Sequence, residues 1–302
     1  MSNATVKRAV VTGANGFTGR FLCHLLAEHG IEVHAFVHQS SGSVTGSNDI
    51  VADLSDEAAL GQLFDRIRPH YVFHLAAISF VPHADASAFY DVNTVYTQRL
   101  LSALQHHQDT LEKVVIASSA NVYGDPKTAC VTIDHPIAPI NHYGCSKVSM
   151  EFMARTYQDR LPIIITRPFN YTGLGQADHF LVPKIISHAV ERKPFIELGN
   201  TDIVRDFSDV RDVVLAYLRL AQSPHSGATV NIASGTAYAL KEVLALIERI
   251  TSHRLEVRIN PAFVRKQDII RLVGDPGPLE AMIGSYRQFG LEDTLTWMVN
   301  KA

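Results

Sequence analysis

The chain has 302 residues, 46% of them hydrophobic, and a formal net charge of −3. That length suits one large domain, or a large domain with a smaller lobe, and the nearly balanced charge implies no polyanion partner, so no nucleic acid is expected. No run of about 18 apolar residues occurs, so no membrane span is expected.

In chain order, KRAVVTG (7–13) reads as a buried strand and 17–29 as an amphipathic helix ending at Gly30. IEVHAFV (31–37) is the second strand. After a Ser/Gly-rich loop (40–48), IVADL (50–54) is a short third strand, followed by helix 55–67 and strand YVFHLAA (71–77). Helix 86–107 leads to strand KVVIASS (113–119); a loop to about 140, helix 141–159 and strand PIIITRP (162–168) follow. Beyond them NYTGLGQ reads as loop, FLVPKIISHAVER as helix, FIELG as strand, DVRDVVLAYLRLAQ as helix and TVNIAS as strand. The last part holds helix 240–252, strand LEVRIN and a closing helix after Leu291. The predicted fold is α/β, a doubly wound parallel (Rossmann) sheet with a smaller C-terminal α/β substrate lobe. Residues 1–166 plus 206–232 are assigned to a dinucleotide-binding domain, and 167–205 plus 233–302 to the substrate lobe.

The opening MSNATVKRAVVTG enters a strand at once, which leaves no room for a secretory leader. Cys23, Cys130 and Cys145 are odd in number and unpatterned, so a reduced cytoplasmic protein is expected. Fifteen histidines raise the question of a metal. His106 and His107 adjoin, and His70 and His74 bracket a strand; neither is a zinc spacing, and no metal is expected.

VTGANGFTGR places Gly13, Gly16, Phe17 and Gly19 in a turn that follows an apolar strand and opens a helix. The first glycine permits a tight turn, the second lets backbone approach a pyrophosphate, and the third lets helix and strand pack closely. The helix N-terminus then presents partial positive charge to the phosphates. An acid at the end of the second strand would select NAD by repelling a 2′-phosphate. The chain has Val37-His38-Gln39-Ser40-Ser41 there, with Arg20 just past the turn, so NADPH is the predicted cofactor and NADH the alternative.

Tyr143 and Lys147 are four residues apart and share one helical face. A phenol beside a fixed positive charge ionises more readily and exchanges a proton near neutral pH. Ser118 and Ser119 sit at the C-terminal end of a strand, where doubly wound sheets bind ligands. A cofactor turn with a proton-exchanging tyrosine implies redox chemistry at a carbon bearing oxygen.

Ser119, Tyr143 and Lys147 resemble the catalytic triad of short-chain dehydrogenases/reductases. The whole chain resembles their extended, nucleotide-sugar branch: DL at 53–54, HLAA at 74–77, VN at 92–93, RPFN at 167–170, RDF at 205–207, VNIASG at 230–235 and VRKQD at 264–268 follow in the family's order. The resemblance implies that Asp53 and Leu54 hold the adenine, Ala76 and Ala77 line the cofactor cleft, and Asn93 supports the active-site helix. Sugar 4,6-dehydratases of this family carry Asp-Glu after the catalytic Ser/Thr. Here Ala120-Asn121 stands in that place, and neither side chain is a carboxylate acid or base, which leaves reduction, oxidation or epimerisation at C4.

LGNTDIVRDFSDVRD and VRKQDIIRLVGDPGPL resemble segments of the GDP-sugar enzymes, above all the GDP-4-keto-6-deoxymannose reductases that form GDP-rhamnose or GDP-6-deoxytalose. By that likeness Asn170, Arg205 and Arg265 bind diphosphate and ribose, Lys184 adds charge, and Ser79 and Asp268 complete the substrate set. Asp268 is one methylene shorter than the family's Glu. For Arg205 the competing reading is an ion pair with Asp206 or Asp209, and for Lys184 a solvated helix face. The implied reaction is hydride transfer from NADPH to a C4 ketone. Tyr143 gives the proton, Ser119 bonds the same oxygen, and Lys147 holds the nicotinamide ribose while lowering the tyrosine's pKa. The alternatives are a C4 epimerase retaining NAD, a dehydrogenase of another nucleotide sugar, and a noncatalytic NADP-binding regulator, against which the intact triad argues. A homodimer through helices 86–107 and 141–159 is expected by the same resemblance, the alternative being packing of both helices within one subunit.

Overall fold

The computed structural model describes residues 6–38, 44–79, 81, 85–264 and 268–301. The chain runs β1 (Arg8–Thr12), α1 (Phe17–Glu28), β2 (Glu32–Val37), β3 (Asn48–Val51), α2 (Glu57–Ile67), β4 (Tyr71–His74), α3 (Ala86–Tyr90), α4 (Tyr96–Leu104), β5 (Lys113–Ala117), α5 (His142–Arg155) and β6 (Ile163–Pro168). Then come β7 (Asn170–Thr172), α6 (Leu181–Val190), β8 (Phe195–Leu198), β9 (Val204–Asp209), α7 (Val210–Gln222), β10 (Thr229–Ile232) and β11 (Ala237–Ala239). The chain closes with α8 (Leu240–Thr251), β12 (Glu256–Ile259), β13 (Arg271–Leu272), α9 (Gly277–Ile283) and α10 (Leu291–Val299).

Seven strands form one parallel sheet in the order β3-β2-β1-β4-β5-β6-β10. This is the doubly wound α/β architecture expected. Its inner strands read as unbroken apolar runs because both faces are covered. Ala9, Val11, Phe73, Val115 and Ile164 face one side, packed with residues of α1 and α7. Val10, Val72, Val114, Ile116, Ile163 and Ile165 face the other, against α2, α4 and α5. The strand order reverses between β1 and β4, and ligands of such sheets bind at that crevice.

β9 carries a smaller sheet, with β11 antiparallel to it and β13 and β7 parallel to it; β8 and β12 form a parallel pair. Helices α6, α8 and α10 close a separate core around Ile185, Ile196, Val243 and Leu295.

Several elements differ from the sequence expectation. NYTGLGQ begins with β7, and β9, β11 and β13 are strands as well; each is short, and its pairing partner is distant in sequence. α9 was not expected. Helix 86–107 is interrupted by a π-helical turn at Asp91–Val95. Strand 71–77 ends at His74, because the Leu75 and Ala76 N–H groups leave the ladder and donate to Thr12 Oγ1. The third strand lies at Asn48–Val51, which leaves Asp53 and Leu54 in a loop. Among the described residues no helix is long and apolar enough to cross a membrane.

Candidate active site

The C-terminal ends of the central strands open into a cavity of about 290 Å³. One wall is the turn between β1 and α1. Gly13 has φ +67, and a Cβ there would lie 2.9 Å from the Ala76 nitrogen. At Gly19 a Cβ would lie 2.3 Å from the Gly13 carbonyl oxygen. Side chains at these positions would force the turn apart. Gly16 is the N-cap of α1; it has no side chain to cap the helix, and no acid stands in the first turn. A cradle of backbone beside such a helix N-terminus fits a pyrophosphate, and the turn is therefore suited to a dinucleotide.

The opposite wall carries the ionisable side chains of α5 and the serine that follows β5. Asn141 caps α5, accepting from Gly144 N at 2.8 Å. The buried face of the helix then carries Tyr143, Lys147 and Glu151 in successive turns. Ser119 follows β5, and its Oγ accepts from both the backbone and the side-chain nitrogen of Asn121, each at 3.1 Å. With both acceptor sites used, its own proton is left to give. The group it faces is Tyr143, whose phenolate it would stabilise. Ser118 turns away and donates to Glu151 Oε1 at 2.6 Å.

Burial pushes the Tyr143 phenol up to about 12, with the Ser119 hydrogen bond working against the rise. Burial also pushes the Lys147 ammonium down to about 8, with the Glu151 charge opposing. The expected lowering of the tyrosine by the lysine is thus corrected. Loss of hydration dominates the phenol, and Lys147 Nζ is committed to the Ala117 carbonyl at 2.7 Å.

Beneath the triad, Arg167 donates from Nε and Nη2 to the two oxygens of Glu151, at 2.8 and 2.6 Å. It also donates to the Tyr123 hydroxyl at 2.9 Å. The pair is almost wholly buried, so removing one partner would strand a charge at a cost of about 3–5 kcal/mol.

His74 ties the two walls together. Thr97 donates its proton to the Asn93 carbonyl at 2.8 Å, so at His74 Nε2, also 2.8 Å away, it accepts. The ring is therefore the Nε2–H tautomer, and Nδ1 accepts from Thr12 Oγ1 at 2.8 Å. Burial, with the Lys147 charge adding, pushes its pKa down to about 3. Asn93, fully buried in the π-helical turn, bonds both Ile78 N and Ile78 O and donates to Ser146 Oγ on α5 at 3.0 Å. π-Turns recur at functional sites for such reasons.

Of the residues singled out in the sequence, Gly13, Gly16, Phe17, Gly19, Ala77, Ser79, Ser119, Tyr143, Lys147 and Asn170 line the cavity together. Ala76 stands behind Gly13. His38 is exposed at the end of β2. Asp53 lies within electrostatic reach of it, its carboxyl lowered mainly by Ser55 and slightly by His38. Leu54 packs on the core.

Lys184, Arg205 and Asp268 lie outside this lining. Lys184 donates to the Glu197 carbonyl at 2.7 Å and sits 4.7 Å from the Phe263 ring centre, so its helix face is not simply solvated. Arg205 donates to the carbonyls of Val204, Ile269 and Ile270 and lies 3.9 Å from Asp268. Its expected alternative partners are otherwise engaged: Asp206 accepts from Ser234 N, Gly235 N and Gly274 N, and Asp209 pairs with Arg211. Gln39, Ser40, Ser41 and Arg265 lie outside the described residues.

Sequence reasoning missed Asn121 as the holder of Ser119, and also Glu151, Arg167, Tyr171 and Tyr217. Glu151 was findable, because it follows Lys147 by four on the same face. Tyr171 stacks on Phe17 with ring centres 6.0 Å apart and bonds Thr18 Oγ1 at 2.8 Å.

The model of the NAD dependent epimerase/dehydratase family matches residues 9–233. The chain belongs to this family. It is an oxidoreductase of the extended short-chain dehydrogenase/reductase group. It is 34% identical to the GDP-6-deoxy-D-talose 4-dehydrogenase of Aggregatibacter actinomycetemcomitans, covering 93% of each chain. It is 30% identical to the GDP-6-deoxy-D-mannose reductase of Pseudomonas aeruginosa, over 96% of this chain and 95% of that one. Among solved structures, MoeE5 in complex with UDP-glucuronic acid and NAD superposes with a TM-score of 0.88 at 27% identity, covering 97% of this chain and 98% of MoeE5.

Proposed function

We propose that this enzyme reduces the C4 ketone of a GDP-linked 4-keto-6-deoxyhexose, with NADPH as reductant and GDP-6-deoxytalose as product. The observation that carries the reading is the pair of bonds from Asn121 to Ser119. A residue that would be a carboxylate in a dehydratase here holds the serine as a hydrogen-bond donor toward the tyrosine. The names of the two GDP-sugar relatives support the nucleotide and the 6-deoxy sugar.

Gly13, Gly16, Phe17, Gly19, Asp53, Leu54, Ala76 and Ala77 would hold the dinucleotide, with His38 toward a 2′-phosphate and Tyr143 and Lys147 at the nicotinamide ribose. NADPH supplies the hydride when bound. Tyr143 gives its hydroxyl proton to the oxygen that becomes the C4 hydroxyl, and Ser119 donates a hydrogen bond to the same oxygen as charge develops there. Such positioned proton transfer typically contributes ~10²–10⁴-fold. Lys147, charged below about 8, favours the tyrosinate left behind. Ser79, Asn170, Lys184, Arg205, Arg265 and Asp268 would hold the nucleotide sugar, residues 167–205 and 233–302 serving as its lobe. Val95 and Phe152, exposed on the helices of the expected pair, would be covered in a homodimer.

The test is incubation with GDP-4-keto-6-deoxymannose and NADPH, with NMR of the product. A talose configuration supports the proposal in full; a rhamnose configuration keeps the reductase and changes the face attacked. Turnover of a UDP- or dTDP-linked ketosugar alone would remove the nucleotide assignment. Net epimerisation with NAD retained through purification would replace the reductase by a 4-epimerase.

A further inference from the structure

Tyr217, on α7, brings a buried hydroxyl to the cleft. It lines the cavity and its side chain is 0% exposed. Among the described residues no group meets its hydroxyl at full hydrogen-bond geometry. Thr166, alongside, donates its own proton to the Ile116 carbonyl and is left only a weak acceptor for the phenol. A buried hydroxyl left unsatisfied costs roughly 1–3 kcal/mol, so its retention in a ligand-binding cavity points to a ligand group that meets it.

The position says which ligand. Tyr217 belongs to the layer of α1 and α7, on the sheet face opposite α5. It therefore approaches from the side of the cofactor turn, while Tyr143 and Lys147 come from the other side. It is close enough to Tyr143 and Tyr171 for their charges to bear on its ionisation, which puts it at the catalytic end of the cleft. Burial holds its pKa far above the ordinary phenol value, so the hydroxyl keeps its proton at every working pH. At that end a nicotinamide cofactor brings one hydrogen-bonding ring substituent, its carboxamide, with both an N–H and a C=O. A phenol can meet either.

We propose that the Tyr217 hydroxyl is a binding contact of the nicotinamide carboxamide, fully satisfied when the dinucleotide is seated. This rests on the cofactor reading given above.

The test is Tyr217→Phe, with wild type beside it. Affinity for NADPH is measured by fluorescence titration, affinity for ADP-ribose (which lacks the nicotinamide) by calorimetry, and melting temperature with and without each. Removing an unsatisfied hydroxyl leaves the cofactor-free melting temperature unchanged or higher. NADPH binding weakens about 3–10-fold, the worth of one neutral hydrogen bond, and the melting gain on adding NADPH shrinks accordingly. ADP-ribose binding stays as in wild type. Equal NADPH affinity in variant and wild type overturns the proposal, as does an equal loss for ADP-ribose or a lower melting temperature without cofactor. Wild type binding neither molecule would instead overturn the cofactor reading.

Discussion

Asn121 donates two hydrogen bonds, one from backbone and one from side chain, to the single oxygen of Ser119. The serine is thereby turned into a donor facing Tyr143. Asn121→Ala should keep the backbone bond and lose the other, lowering kcat about 3–10-fold with little change in KM. Asn121→Asp should cost more, because a carboxylate takes the Ser119 proton for itself. Tyr143→Phe should lower kcat by at least ~10²-fold. Steady-state kinetics check all three, and near wild-type turnover in Tyr143→Phe removes the triad assignment.

The Lys147 ammonium titrates near 8 in the fold against an ordinary 10.5. Reduction should therefore be fastest below about 8 and fall as pH rises through it, with no limb from Tyr143 below about 12. Stability moves the other way. Between about 8 and 10.5 the unfolded chain binds more protons at this residue than the fold does, so its contribution to stability rises with pH. A pH–rate profile set beside urea melts of wild type and Lys147→Met tests both signs.

His74 is held neutral, with a pKa near 3 against an ordinary 6.5. A depressed value in the fold gives stability that is complete above 6.5 and lost as pH falls toward 3. His74→Asn should be less stable at pH 7 and lose stability less steeply over that window, by up to one proton. Superimposable slopes would show that the ring is not buried neutral.

His38 is the exposed side chain at the end of β2, with Asp53 nearby. Wild type should show the higher kcat/KM with NADPH. His38→Asp should reverse the preference by setting a second carboxylate against the 2′-phosphate. Equal use of both cofactors by wild type would remove the role given to this position.

Arg205 braces the Ile269–Ile270 backbone. Arg205→Ala should raise KM for the GDP sugar more than it weakens NADPH binding, through loss of a charge-assisted phosphate contact and of the brace. Arg205→Lys, restoring charge without the fork, should recover only part of the affinity. An unchanged KM in Arg205→Ala confines the residue to bracing.

Much of this protein was legible in its order of residues. Apolar runs such as AVVT, YVFH and IIIT, separated by helical patterns, determined the parallel sheet, because a strand covered on both faces needs no polar alternation. The glycine spacing of the turn and the four-residue step from Tyr143 to Lys147 are local geometry, and local geometry is what sequence spacing encodes. The same holds for the missing carboxylates at Ala120 and Asn121.

What only the tertiary structure decided depends on groups far apart in the chain. The strand β7 exists because β9 lies beside it. The Arg167–Glu151 pair joins a strand to a helix, and the His74 tautomer follows from threonines on β1 and α4. Tyr217 reads in sequence as one more core position of an amphipathic helix; that its buried hydroxyl comes to the cleft near Tyr143 depends on how α7 meets the sheet. The pKa of Tyr143 was misjudged for the same reason: adjacency to a lysine is visible in sequence, but the loss of water around both groups, which outweighs it, is a property of the packed fold.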